Sequence, residues 1–191
     1  FEEDKLVDPF ITPGPAAKKI IFDPIIDGRD PVFGEGALTI VEFSDFSCKF
    51  CGEQEKVIKE VVGEYGGKVK LVWKDFPDKD SVAYQAALAG RCAGAQGKFW
   101  QFHDFLFNKK ELASLKFSDA AKENGLDEGA FLSCLKSGEF KSIIDSNIKE
   151  AGALRLPGVP FFFVGKQEIL GAINKEDLKK IIDQALYELE D

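Results

Sequence analysis

The stretch "TIVEFSDFSCKFCGEQEKVIKEVV", Thr39–Val62, sets two thiols, Cys48 and Cys51, between an apolar run and a helical pattern. The run Leu38–Phe46, "LTIVEFSDF", is short, β-branched and aromatic, which marks a buried strand. Ser47 offers a helix N-cap. Behind it Phe50, Val57, Ile58, Val61, Val62 and Tyr65 recur at helical spacing until Gly66-Gly67 stops the helix. "KVKLVWKDFP", Lys68–Pro77, reads as the next strand. Strand, helix, strand in that order calls for a parallel crossover, with CxxC at the first strand-to-helix junction.

Outward from this unit the pattern changes twice. From Ser81 to about Gly152 only helical patterns and breaks occur: an Ala-rich piece, the aromatic "KFWQFHDFLFN", and "FSDAAKENG" with Ser118 as its expected cap. The end returns to strand. Phe161–Val164 and Glu168–Leu170 flank Gly165-Lys166-Gln167 as a hairpin, and "NKEDLKKIIDQALYEL" follows as an amphipathic helix capped by Asn174. Residues 1–35 read as an arm rich in acid, proline and glycine, whose "IIFDPII" can pack on the domain. The expected division is therefore an arm (1–35), one α/β domain in two pieces (36–80 and 156–191), and a helical insertion (81–155) of four or five short helices.

Composition limits the functions open to such a chain. Its 191 residues suit one domain with an insertion. The net charge of −8 gives no attraction to nucleic acid or anionic membrane, and no apolar run approaches the ~20 residues of a membrane span. There is one histidine, His103, so any His-based nucleophilic site must use it and His-rich metal sites are excluded. In its aromatic setting His103 reads as a packed or hydrogen-bonded residue. The chain begins at Phe1 and contains no methionine, which leads to the expectation that a signal peptide or anchor was removed.

At the helix start, free N–H groups and the helix dipole favour an anion, so the Cys48 thiolate is expected to be stabilised, with a small addition from Lys49. Cys51, one turn on, is expected to be more covered. An exposed nucleophile beside a resolving thiol is the arrangement that thiol–disulfide exchange needs. CxxC admits two other readings. Zinc needs about four ligands, and no second CxxC exists. A staple across two residues would add little stability. Pro160 precedes a strand, where a proline fits the first position. An ordinary trans turn and a cis Val159–Pro160 bond both remain open from the residues alone. Cys92 and Cys134 are either small core residues or a disulfide closing a loop of about 43 residues, worth up to ~4 kcal/mol.

Three segments in this order, "DPVFGEGALTIVEFSDFSCKFC" (30–51), "RCAGAQGKFWQFHDFLF" (91–107) and "LPGVPFFFVG" (156–165), resemble the DsbA family of thiol:disulfide oxidoreductases over about Asp30 to Leu189. The resemblance implies a thioredoxin-like fold, a central mixed sheet flanked by helices, with an inserted all-helical subdomain. It implies a redox-active Cys48–Cys51 pair with no further cofactor and no metal, a cis Pro160 beside Cys48, and Val159 facing substrate. It implies an oxidase acting in the bacterial periplasm or cell envelope on reduced or unfolded proteins, with a membrane oxidase restoring the disulfide. That compartment favours a Cys92–Cys134 disulfide. Glu42, six residues before Cys48, matches the family's buried acid that moves the resolving thiol's proton. Lys74 or Lys70, on the next strand, is its expected partner, and a solvent-facing Glu42 at a sheet edge is the alternative. The phenylalanines are mostly expected in the core, but Phe46 and Phe50, flanking the thiols, can instead form an exposed apolar rim for substrates. The dipeptide Lys49-Phe50 stands where the family's best-known pattern has Pro-His. Without that histidine a less oxidising disulfide is expected than the family's ~−120 mV. The rivals are a reductase or isomerase, told apart by redox equilibration, and a partner- or copper-binding module, told apart by bound metal without catalysis.

Overall fold

The computed structural model describes residues 23–109 and 111–190, so the acidic, Pro/Gly-rich beginning of the expected arm (1–22) lies outside the described residues. Strand β1 (Val32–Glu35) leads to β2 (Leu38–Ser44), helix α1 (Lys49–Glu64) and β3 (Val69–Asp75). Helices α2 (Val82–Gly94), α3 (Phe99–Phe107), α4 (Phe117–Glu123), α5 (Glu128–Ser137) and α6 (Lys141–Ala153) follow, with a 3-10 turn at Leu112–Ser114. Strands β4 (Phe161–Val164) and β5 (Gln167–Leu170) and helix α7 (Lys175–Glu190) close the order.

Among the described residues the sheet order is β1-β3-β2-β4-β5, with β2 and β3 parallel and the other pairs antiparallel. The parallel β2–α1–β3 crossover is the one the sequence requires. Strand alternation then assigns the two faces. Leu38 and Ile40 pack with Ile58, Val61 and Val62 of α1 and with Leu178 and Ile182 of α7. Val41 and Phe43 point the other way and pack with Ala151 of α6. A third cluster holds α2, α3, α4 and α5 together and takes Phe46 and Trp73 from the sheet unit. The result is a mixed sheet between helices with a helical unit between β3 and β4, a thioredoxin-like fold.

Three local expectations are corrected. Val32–Glu35, assigned to the arm, forms the edge strand β1 on β3. Gly34 hid it, because a glycine weakens a strand pattern. Its φ is +75°, and a Cβ there would come within 2.9 Å of Val62 Cγ1, so glycine is needed. Ser118 does not cap α4, which begins at Phe117 with Lys116 at the cap and no side-chain bond. Phe117 packs on the helical core and draws the first turn forward. Lys74 does not reach Glu42: it pairs in register with Phe43 and so shares Phe43's face. Lys70, opposite Thr39, has the same parity. Lys74 instead meets Asp30 at 2.7 Å and Glu150 of α6 at 3.2 Å.

Candidate active site

The site forms where β2 hands over to α1. Asp45 Oδ1 accepts from the Ser47 N–H at 2.6 Å and from Ser47 Oγ at 2.7 Å. Burial raises the Asp45 pKa, and these bonds partly oppose it. Because Asp45 holds Ser47, the expected cap moves on by one residue. Cys48 is the N-cap, and its Sγ accepts the Cys51 N–H at 3.2 Å. A sulfur thus stands where a serine or aspartate oxygen usually does, at the positive end of a helix of 16 residues.

Cys48 is half-buried and Cys51 is sealed at 0% exposure, both as free thiols. Burial, then the hydrogen bond to Cys48, pushes the Cys51 thiol far above its ordinary range. The pair is therefore unequal: one sulfur can be reached and the other gives up its proton with difficulty. Cys48 Sγ lies 3.9 Å from the Val159 carbonyl oxygen, and the Val159–Pro160 bond is cis. Pro160 is buried and Val159 half-buried.

Glu42 is fully buried with no protein hydrogen bond to either carboxylate oxygen. Burial first and the neighbouring Glu55 second raise its pKa well above the usual carboxylate range. A solvent-facing Glu42 is thereby excluded.

Of the other expected site residues, Lys49 and Phe50 are exposed at the helix start, Phe50 at 62%. Phe46 is a correction to the expected rim: it is only 5% exposed and stacks on Trp73 with centroids 5.0 Å apart. The helical unit supplies the aromatic surface that buries it. Phe46 still helps line a cleft of about 480 Å³ beside Cys48, with Gly52, Phe107 and Asn108. Cys92 of α2 and Cys134 of α5 form a disulfide within the helical unit. Among the described residues no group of three or more His, Cys, Asp or Glu is placed to hold a metal ion.

One residue near the site, Glu55, has no distinct mark in the sequence. Glu55 is buried on α1, one turn beyond Cys51 and on the same face, and that i, i+4 spacing was the signal available. His103 of α3, read as a packed or hydrogen-bonded residue, is both and also joins the site's charges. Its Nε2 lies 3.4 Å from Glu55 Oε1 and its Nδ1 2.9 Å from Asp104 Oδ1. Burial pulls its pKa down, but the Glu55 charge and the Asp104 hydrogen bond prevail and raise it.

A thioredoxin-like sheet carrying a reachable cap-position thiol, a sealed partner and a cis proline against them defines a class: the DsbA-like thiol–disulfide oxidoreductases. The thioredoxin family profile matches residues 29–184, and the chain belongs to that family. It is similar to a thioredoxin-like oxidoreductase from Silicibacter pomeroyi, at 28% identity and a TM-score of 0.76, over 83% of this chain and 93% of that one. It is also similar to the thiol-disulfide exchange protein alpha-DsbA2 from Wolbachia pipientis, at 25% identity and a TM-score of 0.75, over 83% and 88% of the two chains. Among curated proteins it is 32% identical to the Na(+)/H(+) antiporter NhaA 3 of Salinispora tropica over 85% of this chain but 26% of that protein. The chain thus spans about a quarter of the length of the curated relatives it matches.

Proposed function

We propose that this protein introduces disulfide bonds into extracytoplasmic proteins by exchange at Cys48 and Cys51. The observation that carries the reading is the cap-position Cys48 sulfur, half-buried beside a cleft and 3.9 Å from the Val159 carbonyl, with Cys51 sealed behind it. A substrate thiolate attacks Cys48 Sγ of the disulfide form, the Cys48–Cys51 bond breaks, and Cys51 leaves as a thiolate that takes a proton from Glu42. A second substrate thiolate attacks the substrate sulfur of the mixed disulfide, and Cys48 leaves as a thiolate at the helix terminus. The substrate leaves oxidised by two electrons and the protein reduced by two. Val159, beside the reacting sulfur, offers backbone for an extended substrate segment to pair with. Lys49 and Phe50 border the same entrance.

A membrane-bound oxidase is the proposed acceptor of the electrons. The Cys92–Cys134 disulfide supports an oxidising compartment such as the periplasm or cell envelope. Among the described residues no helix is long and apolar enough to cross a membrane, and no ion transport is proposed for this chain. The test is oxidative refolding of a reduced, multi-disulfide protein by the wild type and by Cys48→Ser. The wild type is expected to accelerate native disulfide formation and the variant to match the uncatalysed rate; equal acceleration by both would remove the catalytic claim.

A further inference from the structure

Opening the Cys48–Cys51 bond drives an electron pair onto Cys51 Sγ, a sulfur with no exposure. A thiolate formed there is closed off from bulk water, and a buried anion without hydrogen-bond donors is costly. What Cys51 meets as it leaves is set by the strand that faces it.

Leu38 and Ile40 of β2 pack against α1, so alternation turns Ser44 to the same side. Ser44 is the last residue of β2, at the end where α1 starts, and it is fully buried. Its backbone is fixed: it lies opposite Asp75 in the β2–β3 register, and its carbonyl accepts the Phe76 N–H at 2.8 Å. Its side chain is not, for Ser44 Oγ has no hydrogen-bond partner among the described residues. A buried hydroxyl ordinarily bonds a nearby backbone group, so an idle one needs a reason. The hydroxyl faces the sealed sulfur. Burial pushes the Cys51 pKa up most and the bond to Cys48 next, while Ser44 and the Asp45 backbone N–H pull it down. Asp45 lies just past the end of the β2 ladder. Its carbonyl accepts the Cys48 N–H at 3.0 Å and its side chain holds Ser47, which fixes the peptide that carries its own N–H.

We propose that the Ser44 hydroxyl and the Asp45 N–H are a donor pair for the Cys51 sulfur, receiving the charge that develops on it as the Cys48–Cys51 bond opens or closes. The proposal rests on the exchange reading above. In the opening step the attacking thiolate bonds to Cys48 Sγ, the Cys48–Cys51 bond breaks, and its electron pair goes to Cys51 Sγ. Ser44 turns its O–H to that sulfur and keeps its hydrogen throughout; the proton that Cys51 then takes comes from another group. Closing passes through the same state in reverse. A donor already in place where charge develops, in a site closed to water, lowers the barrier without rearrangement. The hydroxyl is idle beside the neutral thiol and engaged only while Cys51 carries charge. It therefore changes the rate in both directions and leaves the redox equilibrium where it was. Sulfur is a weaker acceptor than oxygen, so the effect is expected to stay below the roughly hundredfold of an oxyanion-hole donor.

The test follows one step in both directions near neutral pH with the full-length protein, by acid quench and mass spectrometry. Opening is the formation of the Cys48–glutathione adduct when the oxidised protein meets excess glutathione. Closing is the decay of that adduct, made from the reduced protein and glutathione disulfide. Ser44→Ala is expected to slow opening and closing alike, by about tenfold, with the glutathione equilibrium within about twofold of wild type. Ser44→Thr, which keeps the hydroxyl, is expected to run within about threefold of wild type. Reduced Ser44→Ala is expected to unfold in urea no earlier than wild type, because it loses a buried hydroxyl that bonds nothing in the neutral form. Four results overturn the donor pair and leave the exchange reading standing: unchanged rates, slowing in one direction with a matching shift of equilibrium, Ser44→Thr as slow as Ser44→Ala, or early unfolding of Ser44→Ala. A wild type that forms no adduct in either direction overturns both. Should Ser44→Thr not fold, the two-direction comparison of Ser44→Ala decides alone.

Discussion

In the proposed exchange Cys48 and Glu42 carry most of the chemistry, and they sit where folding physics is least favourable to them. A sulfur caps a helix where oxygen is preferred, and a carboxyl group is buried with no hydrogen bond from the protein. The cost of Glu42 gives a pH prediction. Its folded pKa is raised above the ordinary value near 4.5, so the folded protein binds that proton more tightly than the unfolded chain. Stability from this group is complete below pH 4.5 and is lost as pH rises towards the folded value. Glu42→Gln is therefore expected to match wild type near pH 4 and to exceed it increasingly above, by about 1.4 kcal/mol per pH unit until the folded value is passed. Urea denaturation of the reduced proteins at several pH values measures this; a constant difference across the range would contradict the raised Glu42 pKa. At this scale the placement of the site residues was legible in the sequence. CxxC after a strand, Pro160 before one, and Glu42 inside one could all be read from residue type and position. Glu55 was missed because a glutamate on a helix ordinarily faces water, and its burial comes from packing against β2 and α3.

The elements were legible where periodicity is long and uninterrupted. The β2–α1–β3 crossover, the hairpin and α7 follow directly from their patterns, and Asn174 does cap α7, accepting the Asp177 N–H at 2.9 Å. Ser47, Ser118 and β1 show what single positions cannot decide. Asp45 captures Ser47, Phe117 packs inward ahead of Ser118, and β1 is held by the neighbouring β3. Phe46 departs from the expected rim for a similar reason: its cover comes from Trp73 and from α3, elements distant in sequence. The face of Lys74 is likewise set by one step of register, and it yields a second prediction. Lys74 joins β3 to α6 through Glu150 and to the segment before β1 through Asp30, with only 1% exposure of its side chain. Lys74→Ala would take the cation from Glu150 and leave buried Asp30 only the more distant Arg91, at 3.7 Å. It is expected to cost about 3–5 kcal/mol in urea denaturation. A loss under 1 kcal/mol would mean that the network is not what locks α6 to the sheet.

In the whole molecule, a thioredoxin-like sheet places the sulfurs and the helical unit closes around them. The helical unit supplies Phe107 and Asn108 to the cleft beside Cys48, and His103 and Asp104 to the charges behind Cys51. Its presence was readable from the run of helical patterns between two strand-rich segments, but its part in the site depends on tertiary contacts that no local pattern encodes. The account as a whole requires that Cys48 meets the outside first and Cys51 only afterwards. Cys51→Ala and Cys48→Ala proteins, each reduced and incubated with glutathione disulfide, can be compared by intact mass and peptide mapping. One glutathione on Cys48 of Cys51→Ala, and none on Cys51 of Cys48→Ala over the same interval, is the predicted result; comparable labelling of Cys51, or an unlabelled Cys48, would contradict it.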